Sequence, residues 1–150
     1  MPFDRLVKAV DAWAASHADD EIFAQIGTTP YVPKNMKWAA RIDPSSFRER
    51  IETADVVVAH AGMGTILTAL ECGTPILVMP RRASFRETRN DHQVATAERL
   101  FEMERVHVAM DEQALALELE RVSSLDAAEV IAPTASPELI RALAAFIGQA

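Results

Sequence analysis

The stretch Val56–Pro80, VVVAHAGMGTILTALECGTPILVMP, constrains the fold of this chain more than any other. Val56, Val57, Val58 and Ala59 form a mostly β-branched apolar run, the pattern of a strand covered on both faces in a parallel sheet. The run ends at His60-Ala61-Gly62-Met63-Gly64-Thr65, where two glycines separated by one residue precede a helix expected over Thr65–Cys72. Gly73 and Pro75 stop that helix, and Ile76 to Met79 reads as a second buried strand. A helix start offers free backbone N–H groups and a partial positive charge, and glycines let a phosphate approach them closely. The turn therefore predicts a site for a phosphorylated small molecule. A tight turn needed only for helix–sheet packing is the alternative.

The flanking segments repeat the alternation. Phe3, Leu6, Val7, Val10, Trp13 and Ala14 share one helical face. Strands are expected at Glu21–Ile26, closed by Gly27-Thr28-Thr29-Pro30, and at Lys37–Ile42. Asp43-Pro44-Ser45-Ser46 carries helix-start chemistry for a helix reaching Thr53 or Ala54. Asn90 or Asp91 caps a helix that turns Val94, Ala97, Leu100 and Phe101 inward, followed by a strand at Val106–Ala109 and a helix at Gln113–Val122. The order indicates an α/β fold with a doubly wound, Rossmann-like, mostly parallel sheet over residues 1–122. Residues 123–150 read as a linker and a terminal helix of the same domain. Its Leu139, Ile140, Leu143, Phe146 and Ile147 form an apolar stripe, suited to core packing or to a partner.

Composition narrows the classes. At 150 residues the chain is one domain with enough length for a real core, and its net charge of −7 argues against a dedicated nucleic-acid binder. Cys72 is the only cysteine, so a disulfide within the chain and a cysteine-based zinc cluster are both ruled out. A reducing, cytoplasmic setting is expected, and Met1-Pro2-Phe3-Asp4 is not a secretory signal. The weakly polar run Val56–Leu70 is too short to span a bilayer, so membrane association would be peripheral or through a partner.

His60-Ala61-Gly62-Met63-Gly64-Thr65-Ile66-Leu67, Gly73-Thr74-Pro75, Met79-Pro80-Arg81 and Asn90-Asp91-His92-Gln93, in this order and spacing, resemble the C-terminal domain of family 28 glycosyltransferases, the donor-binding half of the GT-B fold. The likeness is strongest to short stand-alone members acting in dolichol-linked N-acetylglucosamine transfer and in bacterial exopolysaccharide synthesis, and it runs from Phe3 to about Val122. It implies a UDP-sugar donor without a bound metal or other cofactor. It also implies a polyprenyl-diphosphate-linked acceptor and a membrane-anchored partner subunit that binds it; a second copy of the chain is a further candidate partner. Such proteins usually carry a strand and glycine-containing turn just ahead of the segment matched by Pro2-Phe3-Asp4-Arg5-Leu6. Without it, the sheet is expected to lack an internal strand and part of the site's rim. Where many relatives hold the ribose with an acidic residue, this chain has Thr68, a weaker partner for a hydroxyl.

The resemblance gives the candidate residues their roles. Gly62, Met63, Gly64 and Thr65 would cradle the leaving diphosphate as an oxyanion hole does. His60, at the carboxyl end of its strand, would donate to a phosphate or act as a base, or else be a satisfied structural histidine. Asn90, His92 and Gln93 would face the donor sugar, with Asp91 or His92 a second candidate base; Asn90 and Asp91 also suit helix capping. Arg81, Arg82, Arg86 and Arg89 cluster in one loop. Arg81 would reach a diphosphate, while the cluster could equally meet anionic lipid headgroups or stand in solvent. Glu71 is expected on the solvent side, and Gly27-Thr28 on the rim. A non-catalytic donor-binding or regulatory subunit is the first alternative. A GT-B epimerase would need a second nucleotide-facing domain, and a signalling receiver a phosphorylatable aspartate where His60 stands.

Overall fold

The computed structural model describes residues 1–101, 106–124, 141 and 145. Helices and strands alternate as α1 (Asp4–Ala14), β1 (Phe23–Gln25), β2 (Lys37–Ala39), α2 (Pro44–Thr53), β3 (Val57–His60), α3 (Met63–Glu71), β4 (Ile76–Met79), a 3₁₀ turn at Ala83–Phe85, α4 (His92–Phe101), β5 (Val106–Val108) and α5 (Glu112–Ser124). Every strand pairing among them is parallel. The α/β class expected from the sequence is the one observed. Several boundaries differ. β1 and β2 are only three residues each. α3 begins at Met63 rather than Thr65, and α5 runs through Ser124, two residues into the segment read as linker. The terminal apolar stripe lies outside the described residues.

Local chemistry explains the helix ends. Asp43 caps α2, its carboxylate accepting from the Ser46 N–H at 2.9 Å, and Pro44 occupies the first turn. α3 ends in a Schellman arrangement: the Gly73 N–H donates to Leu70 O at 3.1 Å and the Thr74 N–H to Ala69 O at 2.9 Å. Gly73 has φ of +69°, which a glycine adopts without the Cβ penalty. The Thr74 hydroxyl then donates to Ile51 O at 2.8 Å, tying the end of α3 to α2.

The sheet is in two pieces, β1-β2 and β3-β4-β5. In the larger piece β4 is central and all four of its residues are buried. Side chains alternate between its faces. Ile76 and Val78 join Ala59, Ile51 of α2, Ile66 and Leu70 of α3, and Ala97 and Leu100 of α4. Leu77 and Met79 join Val58, Phe3, Leu6 of α1, and Leu115 and Leu119 of α5. The result is three layers, with α2, α3 and α4 on one face and α1 and α5 on the other.

The same two helices reach both sheet pieces. α1 packs against Val58 of β3 and holds the loop after β1. There its buried Asp11 accepts from the Tyr31 hydroxyl at 2.6 Å and the Asn35 N–H at 2.8 Å. α2 packs against Val57 and Ala59 and lays the Arg50 guanidinium 3.5 Å from the centre of the Phe23 ring. The pieces nonetheless do not bond to each other among the described residues. The Val57 N–H donates to Pro75 O at 2.9 Å, so Val57 and Ala59 face β4, while the amide of Val58 faces the open side. Val57 and Val58 stay half-buried for this reason. The run is covered on both faces, as read from sequence, and has one edge without a strand partner among the described residues.

Candidate anion-binding site

β3 and β4 end side by side, His60 in register with Met79, and both chains then turn at the carboxyl edge of the sheet. Open parallel sheets place ligands at this edge. α3 starts immediately above it. Gly62 is its N-cap and supplies no side-chain hydrogen bond. The Ile66 N–H makes the first helical bond, to Gly62 O at 3.3 Å, so the amides of Met63, Gly64 and Thr65 point out of the helix start without helical acceptors. α2, α4 and α5 begin differently, with Asp43, Asn90 and Asp111 side chains accepting from early amides.

The two glycines do different work. A Cβ on Gly62 would overlap the His60 imidazole, so this glycine makes room for the ring of its own neighbour. A Cβ on Gly64 would meet nothing within 4 Å. Packing gives no reason for glycine there, and the space in front of it is open. Thr65 is the third residue of the helix. Thr68, one turn on, donates its hydroxyl to Gly64 O at 2.9 Å and retains lone pairs to accept with.

Two buried nitrogens belong to residues near this helix start: the His60 ring lies against Gly62, and Arg81 is near enough to act on it electrostatically. Neither His60 Nδ1 nor Arg81 Nε has a hydrogen-bond partner, although both atoms are shielded from solvent. A buried, unpartnered polar atom is costly and marks a place where something polar belongs. Burial, followed by the positive charge of Arg81, holds the His60 imidazole below its ordinary pKa; Gln93 pulls weakly the other way. Burial likewise lowers Arg81, with the Glu87 carboxylate opposing. Burial and the neighbouring Arg81 thus favour the neutral imidazole of His60, while Arg81 keeps its charge. An anion at this point would relieve both groups.

The Asn90–Gln93 segment is distributed unevenly. Gln93 is only 6% exposed and its Oε1 accepts the Arg81 N–H at 3.2 Å, which fixes the backbone that carries Arg81. Asp91 is exposed and its carboxylate accepts the Ala83 N–H at 2.9 Å. Asn90 accepts from the His92 N–H at 3.2 Å and contacts the His92 ring, both residues being exposed. Glu71 sits on the outer side of α3, 3.6 Å from Arg48 Nη1. Gly27 turns the chain after β1 with φ of +68° and Thr28 is exposed.

Sequence reasoning missed the strut beneath the arginine loop. Arg5 of α1 grips Glu87 with two bonds of 2.9 Å and donates to Pro80 O at 3.0 Å. Glu87 also accepts the Arg82 N–H at 2.9 Å, and Arg82 Nη2 reaches Met110 O at 2.8 Å. Glu87 is 7% exposed, so this is a buried ion pair. The partners are 82 positions apart, and no local pattern joins them. A separate open concavity of about 500 Å³ lies between α1 and α5, lined by Arg5, Lys8, Ala9 and Glu112. It holds none of the groups that lie at the glycine turn. Among the described residues no group of three or more His, Cys, Asp and Glu side chains comes together. No described helix is long and apolar enough to cross a membrane.

A three-layer α/β domain with an uncapped helix start at the carboxyl edge of its sheet is an architecture that nucleotide- and phosphate-binding domains use. The chain belongs to the glycosyltransferase family 28 C-terminal domain, which matches residues 2–125. Among solved structures it is similar to the glycotransferase of kitacinnamycin, at 22% identity and a TM-score of 0.58, over 93% of this chain. At that identity the likeness shows the fold. The chain spans about a third (33%) of that protein's length. No curated protein matches.

Proposed function

We propose that this chain is the donor-binding part of a UDP-sugar-dependent glycosyltransferase acting in exopolysaccharide or lipid-linked glycan synthesis. The observation that carries the reading is the meeting of three features: the free amides of Met63, Gly64 and Thr65, an unobstructed Gly64, and the unpartnered His60 Nδ1 and Arg81 Nε. Together they suit the diphosphate of a nucleotide sugar. The helix start and Arg81 would stabilise charge on the leaving phosphate as the glycosidic bond breaks, and neutral His60 would donate a hydrogen bond to it. Asn90 and His92, exposed on the same rim, are the candidates for the sugar hydroxyls; Gln93 acts by holding Arg81.

A base must take the proton of the attacking hydroxyl. Burial and Arg81 disfavour a protonated His60, and Asp91 already accepts the Ala83 N–H. We therefore place the base, the polyprenyl-diphosphate acceptor site and the membrane anchor on a partner subunit, with inversion at the anomeric carbon. Calorimetric titration of UDP, ADP and GDP into the chain tests donor binding: UDP binds, and binds tightest. Transfer from a radiolabelled UDP-sugar in the presence of the partner tests the enzymatic half. Absence of UDP binding to the folded chain overturns the reading. Binding without transfer leaves a regulatory subunit, the second reading.

A further inference from the structure

The loop between β4 and α4 has an unusual exterior. It leaves Pro80 at the carboxyl edge of the sheet and carries Arg82, Arg86 and Arg89 with a single carboxylate, Glu87, before Asn90. That carboxylate is turned inward and neutralised by Arg5. Arg82 is turned to Met110 O. What remains outside is Phe85, 59% exposed, with Arg86 and Arg89, both exposed. Among the described residues neither of these two guanidinium groups has an ion-pair or hydrogen-bond partner. The shape is fixed. Arg86 takes a left-handed conformation at φ 56°, uncommon for a residue with a side chain, and its N–H donates to Ala83 O at 2.9 Å. The Arg5 guanidinium lies 5.0 Å from the Phe85 ring centre.

We propose that this loop docks directly on an anionic lipid surface, Phe85 entering the headgroup region between Arg86 and Arg89. An aromatic ring favours the interface of a bilayer, and arginines beside it are attracted to anionic headgroups. The chain's net charge of −7 opposes such binding only at long range. At physiological salt that repulsion is screened beyond about 8 Å, so the groups nearest the surface decide the outcome. The loop stands on the same edge as the start of α3, so docking would bring the candidate site to the plane of a lipid-borne acceptor. The contact itself needs no donor, and its test uses none.

Flotation of the full chain with vesicles tests the proposal. Phosphatidylcholine vesicles containing phosphatidylglycerol should carry the protein at about 0.15 M salt and release it near 1 M, where the screening length falls to about 3 Å. Pure phosphatidylcholine should not carry it. Arg86→Gln and Arg89→Gln should each weaken binding roughly fivefold, the equivalent of about 1 kcal/mol per arginine. Phe85→Ser should weaken it while leaving the salt dependence in place. Arg89→Gln lies away from the left-handed residue and keeps the test valid if an Arg86 variant misfolds. Equal flotation with neutral vesicles, no flotation with either, or full competition by millimolar inorganic phosphate, which would mark a small-anion site, overturns the proposal.

Discussion

Gly64 makes the sharpest residue-scale test, because fold and function pull it in opposite directions. It is the second residue of α3, with open space where a side chain would stand. For the fold alone alanine is the better residue, by roughly 0.5–1 kcal/mol in a helix. Gly64→Ala is therefore expected to raise the melting temperature by about 2–4 °C per kcal/mol in a domain of this size. The same methyl group would stand in the approach to the Met63–Thr65 amides, and UDP-sugar affinity should fall at least roughly tenfold, or about 1.4 kcal/mol. Scanning calorimetry and a titration on one preparation check both halves. A stabilised variant with unchanged affinity would return the turn to a purely architectural role. The pair of glycines was legible in the sequence as the turn that opens a helix after a buried strand. Their division of labour was not, since the overlap at Gly62 depends on where the ring of His60 lies, and a one-dimensional pattern does not give that.

Among elements, the loop from Pro80 to Asp91 matters most, since it delivers Arg81 to the site and Phe85 to the exterior. Its anchor is a helix far away in sequence: Arg5 on α1 grips Glu87 and Pro80 O, and its side chain is 12% exposed against 8% for Glu87. Removing Glu87 leaves the largely buried Arg5 with the half-exposed Glu112 carboxylate, at 3.3 Å, and Pro80 O as its remaining oxygen partners among the described residues. Glu87→Ala should cost about 3–5 kcal/mol in urea denaturation, and Arg5→Met/Glu87→Leu together should recover most of it. Non-additivity in that cycle is the expected signature; simple additivity would mean the pair contributes little. The caps, stops and apolar faces of α2, α3 and β4 could be read directly because each depends on neighbours within a few positions. Asp43, Gly73 and the run Ile76–Met79 behave as read. Arg5, Glu87 and the buried Asp11 could not, because their partners come from other elements and only the folded chain brings them together.

The whole molecule is shaped by its divided sheet. The apolar run at Val56–Ala59 reads as a strand covered on both faces, and its side chains do join the cores on both sides, while its two edges differ. β4 pairs with one edge of β3, whereas the other edge has no strand partner among the described residues, β1 and β2 forming a separate piece. In a parallel ladder alternate residues use opposite edges, so the consequence is visible within one strand. The amides of Val57 and Ala59 are committed to β4, and the amide of Val58 is not. Native-state hydrogen exchange should therefore alternate along β3, slow at Val57 and Ala59 and much faster at Val58 between them. A parallel strand inserted beside β3 would protect Val58 and abolish the alternation. Uniform protection in the isolated chain would mean that the open edge is closed in solution. Val58 also packs against Leu77 and Met79, whose strand end lies beside His60. The amide that reports on the open edge thus belongs to the strand that places His60, and its exchange measures how firmly the candidate site is held from that side.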